Sequence, residues 1–179
     1  MHQITTGAMS PDGLHDCVFL WLWCRDGRPY AKYLPEGAPE NMPMVLTLLR
    51  WDGTFGTMGG KVDKGESLMQ ALFREAGEEI GFWLPDSKNP EPLGTFQDGP
   101  WHIHSFSLEM SYYELLGVRT DASALKNASP EVTGVVLAPT GQYRPGNEGV
   151  PRGRTAFEGN QFCSTAKLEW DLLMTKLTA

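Results

Sequence analysis

The sequence predicts a mixed β-sheet covered by helices, which is an architecture of the broad α/β (α+β) class, in one domain spanning residues 1–179. The 179 residues are 41% hydrophobic and 21% charged, and a chain of this length and composition can bury a substantial core. Six or seven short apolar runs have the character of strands, and two longer stretches have helical periodicity. Strands and helices do not alternate strictly, which favours a mixed sheet over a doubly wound parallel sheet.

Three strands are predicted in the first 51 residues. Residues 16–24 form the most apolar run and predict a buried strand, and residues 29–34 predict a short partner strand. Residues 43–51 predict another strand, which ends at the turn signal Asp52-Gly53. The apolar run at 17–24 is far too short to span a bilayer.

The second half of the chain predicts further strands and a helix at the C-terminus. Strands are expected at 92–97, 101–110 and 131–138, a short helix at 111–118, and a long loop at 139–156. The last helix is indicated by apolar residues at spacings of four, four, three and four, which form one helical face: Phe162, Ala166, Trp170, Leu173 and Leu177.

The charge of the chain argues against sequence-independent binding to nucleic acid over its whole surface. Its net charge is −7, with 15 basic and 22 acidic residues, whereas such binding requires a basic footprint. Arg144, Arg152 and Arg154 nevertheless gather in the long loop. They are expected either to contact a polyphosphate or an RNA backbone, or to be solvated.

The cysteines and the N-terminus predict a cytoplasmic protein that does not associate with membranes. Cys17, Cys24 and Cys163 have no spacing typical of a disulfide framework or a zinc site, and such sparse cysteines suit a reducing compartment. No charged region followed by an apolar stretch marks a signal peptide.

An acidic helix is predicted over residues 66–80. Ser67 followed by Gln70 fits a capping box, and Gly81 suits the end of the helix. A buried stripe is expected from apolar residues recurring every four positions: Leu68, Leu72, Ala76 and Ile80. Gly77 is a poor helix residue and indicates close packing at that position.

Glu75, Glu78 and Glu79 crowd onto another face of this helix. Like charges at these spacings repel by about 0.2–0.5 kcal/mol per pair, so either a cation sits among them or they form a solvated face. Three carboxylates on one turn suit Mg²⁺, which prefers oxygen ligands. The preceding glycine-rich segment, 55–66, would let the backbone approach a metal or phosphate closely.

The acidic helix and its loop resemble the Nudix box. The seven fixed positions of that motif are matched by Gly60, Glu66, Arg74, Glu75, Glu78, Glu79 and Gly81, and its aliphatic positions hold Ala76 and Phe82. The chain is therefore similar to Nudix hydrolases, which implies an α/β/α sandwich with a mixed sheet.

Beyond the box, the chain is most similar to the branch of Nudix enzymes that decap snoRNA and cleave inosine diphosphate. The stretches that carry this similarity are 50–60, 104–118, 130–139 and 157–173. Met58 departs from the proline usual in the branch, and segment 84–101 does not align.

The resemblance implies hydrolysis of a phosphoanhydride in a nucleoside diphosphate linked to another group, with Mg²⁺ or alternatively Mn²⁺ as cofactor. It implies that Glu78 and Glu79 are the principal metal ligands, that Glu75 is a ligand or base, and that the carbonyl of Gly60 or of Gly59 completes the set. Glu131 matches a further carboxylate that joins the metals in this family, or it is only a solvent-facing strand end. Glu66 and Arg74 would orient the loop and the helix.

Other candidate residues also rest on the resemblance. His104 matches a histidine of the branch that serves as base or phosphate ligand, although a structural role is the alternative. His102 should face the same side of its strand. Arg50 and Asn160 match positions that line the substrate pocket. The aromatic candidates for substrate stacking, with core packing as the alternative, are Trp51, Phe55 and Phe162, to which Trp101 is added without a preference between stacking and packing.

The substrate is left open among nucleotides. Small nucleotides such as ADP-ribose, dinucleoside polyphosphates or inosine diphosphate are favoured slightly by the acidic net charge. The alternatives are the 5′ cap of RNA, with methylguanosine or a nicotinamide dinucleotide, and protein-linked ADP-ribose. A function of another class would be a non-catalytic nucleotide-binding module, although such proteins usually lose box glutamates. The branch also implies a homodimer.

Overall fold

The described residues, 2–4, 10, 15–85, 87–124 and 129–178 of a computed structural model, form eight strands and four α-helices. The strands are β1 (His2–Ile4), β2 (His15–Gly27), β3 (Met42–Arg50), β4 (Phe55–Gly56), β5 (Met58–Lys61), β6 (Glu91–Asp98), β7 (Trp101–Met110) and β8 (Val132–Pro139). The helices are α1 (Leu68–Ile80), α2 (Tyr112–Ala124), α3 (Arg154–Glu158) and α4 (Ala166–Thr178).

All eight strands belong to one mixed sheet, as the sequence predicted. Its order is β1-β6-β7-β2-β3-β4, with β5 also paired to β2 and β8 to β3. β2 and β7 run parallel in unbroken register from His15↔Trp101 to Cys24↔Met110, and the other pairs are antiparallel. The longest strand, β2, therefore lies at the centre of the sheet.

Helices cover both faces of the sheet, which confirms the α/β/α sandwich. Along β2, Val18, Leu20 and Leu22 pack against one core, to which α1 and α2 contribute. Trp21 and Trp23 point to the opposite face and pack with residues of α3 and α4. This alternation follows from the period of two in a strand.

Several boundaries differ from the sequence prediction. The partner strand predicted at 29–34 is wrong: the segment starts at Pro29, which cannot donate a ladder hydrogen bond, and Ala31–Tyr33 form a 3₁₀ helix. Phe162 precedes the last helix, which begins at Ala166. Part of the glycine-rich segment is strand (β4 and β5), α2 runs on to Ala124, and the long loop ends where α3 begins at Arg154.

The capping residues of α1 are as predicted, although the helix begins at Leu68 and not at residue 66. The Ser67 hydroxyl accepts a hydrogen bond from the Gln70 amide while the Gln70 side chain accepts one from the Ser67 amide, which completes the capping box. Gly81 ends the helix in the left-handed conformation, with φ of 67°. A Cβ at Gly77 would lie 2.7 Å from the Trp83 ring, so the close packing at this glycine is with an aromatic side chain.

No helix in the described parts of the chain is long and apolar enough to cross a bilayer. The expectation that there is no signal peptide concerns the N-terminus, most of which (residues 1, 5–9 and 11–14) lies outside the described residues.

Candidate active site

Arg74 of α1 is a cation that lies among the glutamates and pairs with three of them. Its guanidinium binds Glu66 through two hydrogen bonds of 2.9 and 3.0 Å, and it also reaches Glu75 at 2.8 Å and Glu78 at 3.2 Å. It donates a further bond to the Lys61 carbonyl at 2.9 Å. These bonds raise the pKa of Arg74 and lower that of Glu66. Arg74 thus ties the loop before α1 to the helix, the positioning role expected for the Arg74–Glu66 pair.

Gly60 lets the Glu75 carboxylate lie directly against the backbone of β5. A Cβ built at Gly60 would be 2.5–2.7 Å from the carboxylate atoms of Glu75, which is closer than real Cβ contacts allow. Burial raises the pKa of Glu75, and the Arg74 guanidinium partly offsets that rise. Any larger residue at position 60 would displace this carboxylate.

Glu79 is the most buried of the three glutamates, with 6% of its surface exposed. Its carboxylate accepts a hydrogen bond of 2.8 Å from the Gly59 amide. Gly59 has φ of 149°, and a Cβ there would lie 2.0 Å from the Val18 carbonyl, so this backbone requires glycine. Burial raises the pKa of Glu79 to about 7, the Gly59 hydrogen bond opposes the shift, and the nearby Glu75 adds to it. A bound cation would stabilise the ionised form of this carboxylate, which burial and the charge of Glu75 destabilise.

These glutamates line a cavity of about 540 Å³, here called the glutamate pocket. The predicted site residues that line it are Arg50, Gly60, Glu75, Glu78, Glu79 and Glu131. The other lining residues are Phe19, Gly59, Lys61, Ser129, Cys163 and Ser164. One pocket therefore brings together the expected metal-binding residues and the predicted substrate-binding arginine.

Arg50 and Glu131 line the pocket from β3 and from the residue before β8. An Arg50 guanidinium nitrogen lies 3.3 Å from a Glu131 carboxylate oxygen. The Trp51 amide donates a 3.0 Å hydrogen bond to the Glu131 carbonyl, which fixes the turn after β3. The Trp51 side chain is 66% exposed, so the packing alternative considered for it is wrong.

The other predicted substrate-binding residues do not line the glutamate pocket. Phe55 and Phe162 pack around Phe157, with ring centroids 5.2 and 5.5 Å from it, in the core beneath α4. The side-chain amide of Asn160 donates a hydrogen bond of 2.8 Å to the Phe157 carbonyl and thereby caps the C-terminal end of α3. The Trp101 ring packs against His15, with centroids 5.1 Å apart and the planes tilted by 43°, and Lys61 Nζ lies 5.0 Å from its centroid. These contacts match structural roles.

His104 lies outside the pocket, in a buried group with Asp16 and His102 that is here called the histidine cluster. His104 is 1% exposed, and its Nε2 lies 2.9 Å from an Asp16 carboxylate oxygen, which His102 Nδ1 approaches at 3.2 Å. Both ring nitrogens must be donors, because an ionised carboxylate only accepts. Thr95 Oγ1 lies 3.3 Å from His104 Nδ1, which completes the partners of that ring.

Asp16 has further partners that close the histidine cluster. The amide and the hydroxyl of Ser10 donate to its carboxylate at 3.0 and 2.9 Å. Burial opposes ionisation of Asp16, but the hydrogen bonds from His104 and Ser10 outweigh it and lower the pKa of Asp16. Burial lowers the pKa of His104, against the Asp16 hydrogen bond. The ligand atoms lie within 4.8 Å of one another, as in a metal site, but hydrogen bonds within the chain already engage them.

Three pocket residues carried no sequence signal that sets them apart from neighbouring positions. Phe19 and Lys61 reach the pocket because β2 pairs with β5 in the register Phe19↔Gly59 and Cys17↔Lys61, which only the fold reveals. Ser164 has φ of 41°, an uncommon conformation for a residue with a side chain, and it follows Cys163 at the pocket wall. Such backbone outliers cluster at functional sites.

The donor set fits a hard divalent cation. Glu75, Glu78 and Glu79 supply carboxylate oxygens on one side of the pocket, and the glycines beside them leave the backbone accessible. Within the described residues, Arg74 forms ion pairs with Glu75 and Glu78, whereas Glu79 forms none. Mg²⁺ or Mn²⁺ suits such oxygen ligands.

Comparisons with known proteins identify the family to which the chain belongs. The model of a family described as "Nudt16-like: U8 snoRNA-decapping enzyme-like" matches residues 37–177. Similar relatives include the U8 snoRNA-decapping enzyme of Homalodisca vitripennis, 33% identical over 130 residues, which are 69% of this chain and 65% of that enzyme. That of Mus musculus is 28% identical over 169 residues, 89% of this chain and 80% of the enzyme. The match thus spans slightly less than two thirds of the Homalodisca enzyme.

Solved structures show the same fold. A mutT/nudix family protein from Listeria innocua matches with a TM-score of 0.58 and 16% identity, over 95% of this chain and 96% of that one. A NUDIX hydrolase from Nitrosomonas europaea matches with a TM-score of 0.53 and 13% identity, over 92% and 90% of the two chains. Because the family model covers well over half of the chain, and the fold and the box agree with it, this chain belongs to the Nudt16-like family of Nudix hydrolases.

Proposed function

We propose that this protein is a pyrophosphohydrolase that cleaves the phosphoanhydride of a nucleoside diphosphate derivative, with Mg²⁺ or Mn²⁺ held by Glu75, Glu78 and Glu79. The observation that carries the proposal is the position of these carboxylates. Glu79 is buried beside Glu75 in an open pocket, and its pKa is raised to about 7, an arrangement that a bound cation would relieve.

The residues of the chain have separable tasks in this reaction. Glu78 and Glu79 would hold the cation, Glu75 would hold it or accept a proton from the attacking water, and Glu131 would add a further carboxylate from the β8 side of the pocket. Arg74 and Glu66 hold α1 against its loop. Arg50 supplies positive charge on the same side of the pocket for the substrate phosphates. The bound cation would neutralise phosphate charge and lower the pKa of water.

The 5′ cap of RNA is the leading substrate, and small nucleotides are second. Two curated relatives are named U8 snoRNA-decapping enzymes, which outweighs the slight preference for small nucleotides drawn from the net charge of −7. The exposed Trp51 beside Arg50 offers a ring on which the cap could stack. Small nucleotides are retained because the same chemistry cleaves any nucleoside diphosphate derivative that fits.

A substrate panel tests the proposal. The intact protein is assayed with Mg²⁺ and with Mn²⁺ on nucleoside diphosphates, dinucleotides, nucleotide sugars and capped RNAs, and release of a nucleoside monophosphate or diphosphate is measured. We expect cation-dependent turnover that Glu79→Gln lowers by about a hundred- to a thousandfold. Glu109→Gln, which changes an exposed glutamate paired with Arg25, serves as the matched control. Full activity in the Glu79 variant would rule out this mechanism.

Calorimetry separates the enzyme from a non-catalytic module. Nucleotide binding without turnover, with every cation and substrate of the panel, would support the module instead. The homodimer implied by the family resemblance stays a prediction, and sedimentation equilibrium measures it. The catalytic role of His104, the substrate contacts of Phe55, Asn160 and Phe162, and the cytoplasmic location also remain predictions.

A further inference from the structure

Two segments that are distant in the sequence, 28–34 and 141–153, meet near the start of β3. The Arg144 amide donates a hydrogen bond of 2.9 Å to the Tyr33 carbonyl, and the Tyr30 amide donates one of 3.2 Å to the Tyr143 hydroxyl. The surface that they form, here called the tyrosine–arginine surface, consists of Tyr30, Lys32, Tyr33, Tyr143, Arg144 and Arg152.

Aromatic rings and a guanidinium group lie against one another on this surface. Tyr30 is 65% exposed, and its ring centroid lies 5.5 Å from that of Tyr33. The Arg152 guanidinium lies 4.0 Å from the Tyr33 centroid, in cation–π contact. Stacking holds the guanidinium in place while its donors at the edge stay available for acceptors.

The surface carries a surplus of positive charge in an acidic protein. The surface itself contains three cations, Lys32, Arg144 and Arg152, and no carboxylate, although the chain carries −7. The fourth basic residue of the two segments, Arg28, lies over the Tyr113 ring instead, and their one acidic residue is Glu148. None of the four forms an ion pair with a carboxylate in the described parts of the chain. Arg154, which the sequence grouped with Arg144 and Arg152, is instead paired with Glu158 at 2.6 Å.

We propose that the tyrosine–arginine surface binds single-stranded RNA, namely the part of the capped substrate that follows the cap. Tyrosine rings stack on unpaired bases and free cations contact the phosphates, which is the combination that single-stranded nucleic acid requires. An acidic protein segment would use the cations but would leave the exposed Tyr30 ring without a matching planar group. The proposal rests on the proposed function, since it assigns a second contact for the same substrate.

The position of the surface sets the length of RNA that can reach it. The tyrosine–arginine surface lies at the first residue of β3, because Gly27, just before one segment, and Gly141, at the start of the other, contact Met42. The glutamate pocket lies at the last residue of β3, where Arg50 lines it. Eight residue steps of a strand span about 26 Å. A stacked RNA strand with its cap in the pocket covers this distance with roughly eight nucleotides. A free cap dinucleotide therefore cannot touch the surface.

Binding of uncapped RNA tests the surface independently of catalysis. Fluorescence anisotropy of a labelled RNA of about twenty nucleotides is measured at several salt concentrations. Tyr30→Ala should weaken binding by roughly five- to a hundredfold without changing the salt dependence, since a stacking contact is lost. Arg152→Ala and Arg144→Ala should each reduce the slope of log K against log salt by about 0.7. Arg119→Ala is the matched control, because it removes an exposed cation of α2 that forms no ion pair with any described residue.

Turnover of capped RNA provides the second measurement. With a capped RNA of about twenty nucleotides, the surface variants should raise KM and leave kcat unchanged, whereas turnover of a cap dinucleotide should not change. Tyr30→Phe should have the same KM and kcat for capped RNA as the wild-type protein, because the aromatic ring is kept. Unchanged dinucleotide turnover and an unchanged melting temperature establish that the variants are folded.

The two proposals fail in different ways. If no nucleotide is hydrolysed but RNA binds and the surface variants weaken it, the proposed function is wrong and the surface stands. If hydrolysis is normal but the Tyr30, Arg144 and Arg152 variants bind and turn over long RNA like the original protein, the surface proposal is overturned. It is also overturned if these variants weaken binding of poly-glutamate and not of RNA, which would indicate an acidic protein partner.

Discussion

The glutamate pocket and the histidine cluster lie on the same face of the sheet and differ in how completely their charges are paired. His104 on β7 and Gly60 on β5 both pair with Val18 of β2, from opposite sides. In the histidine cluster, Asp16 accepts hydrogen bonds from both imidazoles and from Ser10. In the glutamate pocket, Glu79 accepts one backbone hydrogen bond beside the like charge of Glu75.

This difference separates a structural polar group from a functional one. A buried polar cluster whose members satisfy one another rigidifies the fold. A buried carboxylate with too few partners destabilises the fold and persists where a ligand completes it. We infer that the glutamate pocket is of the second kind, and the following experiments test that inference.

The largest expected effect is on activity in the glutamate pocket. Glu79→Gln should lower kcat/KM by about a hundred- to a thousandfold, because a positioned charge is lost at the reaction centre. The free energy of unfolding should not fall, because the substitution removes a buried carboxylate whose ionisation is unfavourable. Kinetics and urea denaturation measure the two quantities, and a large loss of stability would place Glu79 in the structural class.

The next effect concerns the cation that the chain itself supplies. Arg74→Ala should lower the free energy of unfolding by on the order of 2 kcal/mol, because Glu66, Glu75 and Glu78 lose their partly buried partner. Added Mg²⁺ should restore part of this stability, since it compensates the same carboxylates. Arg74→Lys should be intermediate, because an ammonium cannot form the paired bonds to Glu66. Urea denaturation measures the free energy of unfolding of Arg74→Ala without Mg²⁺, of Arg74→Ala with Mg²⁺ and of Arg74→Lys. Equal losses of stability in these three cases would contradict this interpretation.

A smaller effect is expected from the close contact between β5 and α1. Gly60→Ala should weaken cation binding by about tenfold, because the added Cβ displaces the Glu75 carboxylate. Gly117→Ala is the matched control, since a Cβ there meets nothing within 4 Å. Calorimetric titration with Mn²⁺ measures the affinity, and equal affinities in the two variants would show that the contact is unimportant.

The smallest effect is a pH dependence that originates in the histidine cluster. The pKa of His104 is lowered from 6.5, so below that pH the unfolded chain binds a proton that the folded chain does not, and stability decreases as the pH falls. The pKa of Asp16 is lowered from 3.8, so the free energy of unfolding continues to fall as the pH drops below that value. Urea denaturation at pH 7.5 and at about pH 5 measures the difference in the free energy of unfolding between the two pH values. His104→Asn should make this difference smaller. Unchanged pH dependence would mean that other groups cause it.

Much of the glutamate pocket could be predicted from the sequence, because a local motif encodes it. The cap at Ser67, the Arg74–Glu66 pair and the crowded glutamates all lie within 23 residues, so helical spacing places them. The side of the pocket that Arg50 and Glu131 line could not be derived in this way. Glu131 and Arg50 meet through the pairing of β8 with β3, and only the family resemblance singled them out.

His104 shows where reasoning from a sequence fails. Its spacing from His102 correctly predicted that the two rings share one face of β7. Their common partner, Asp16, comes from β2 in the parallel register His102↔Asp16, a pairing of residues 86 positions apart. Without that register, nothing in the sequence distinguishes a buried, hydrogen-bonded imidazole from one that meets a substrate.

The central strand has a consequence for the way the protein assembles. β2 aligns with β7, whose residues lie 86 positions later, and with β5, which carries Gly59 and Gly60. Closing such a long loop is slow, and contacts of high sequence separation form late in folding. The ability to hold a divalent ion should therefore return on refolding together with the central β-pairing, and not with the earlier, local formation of α1.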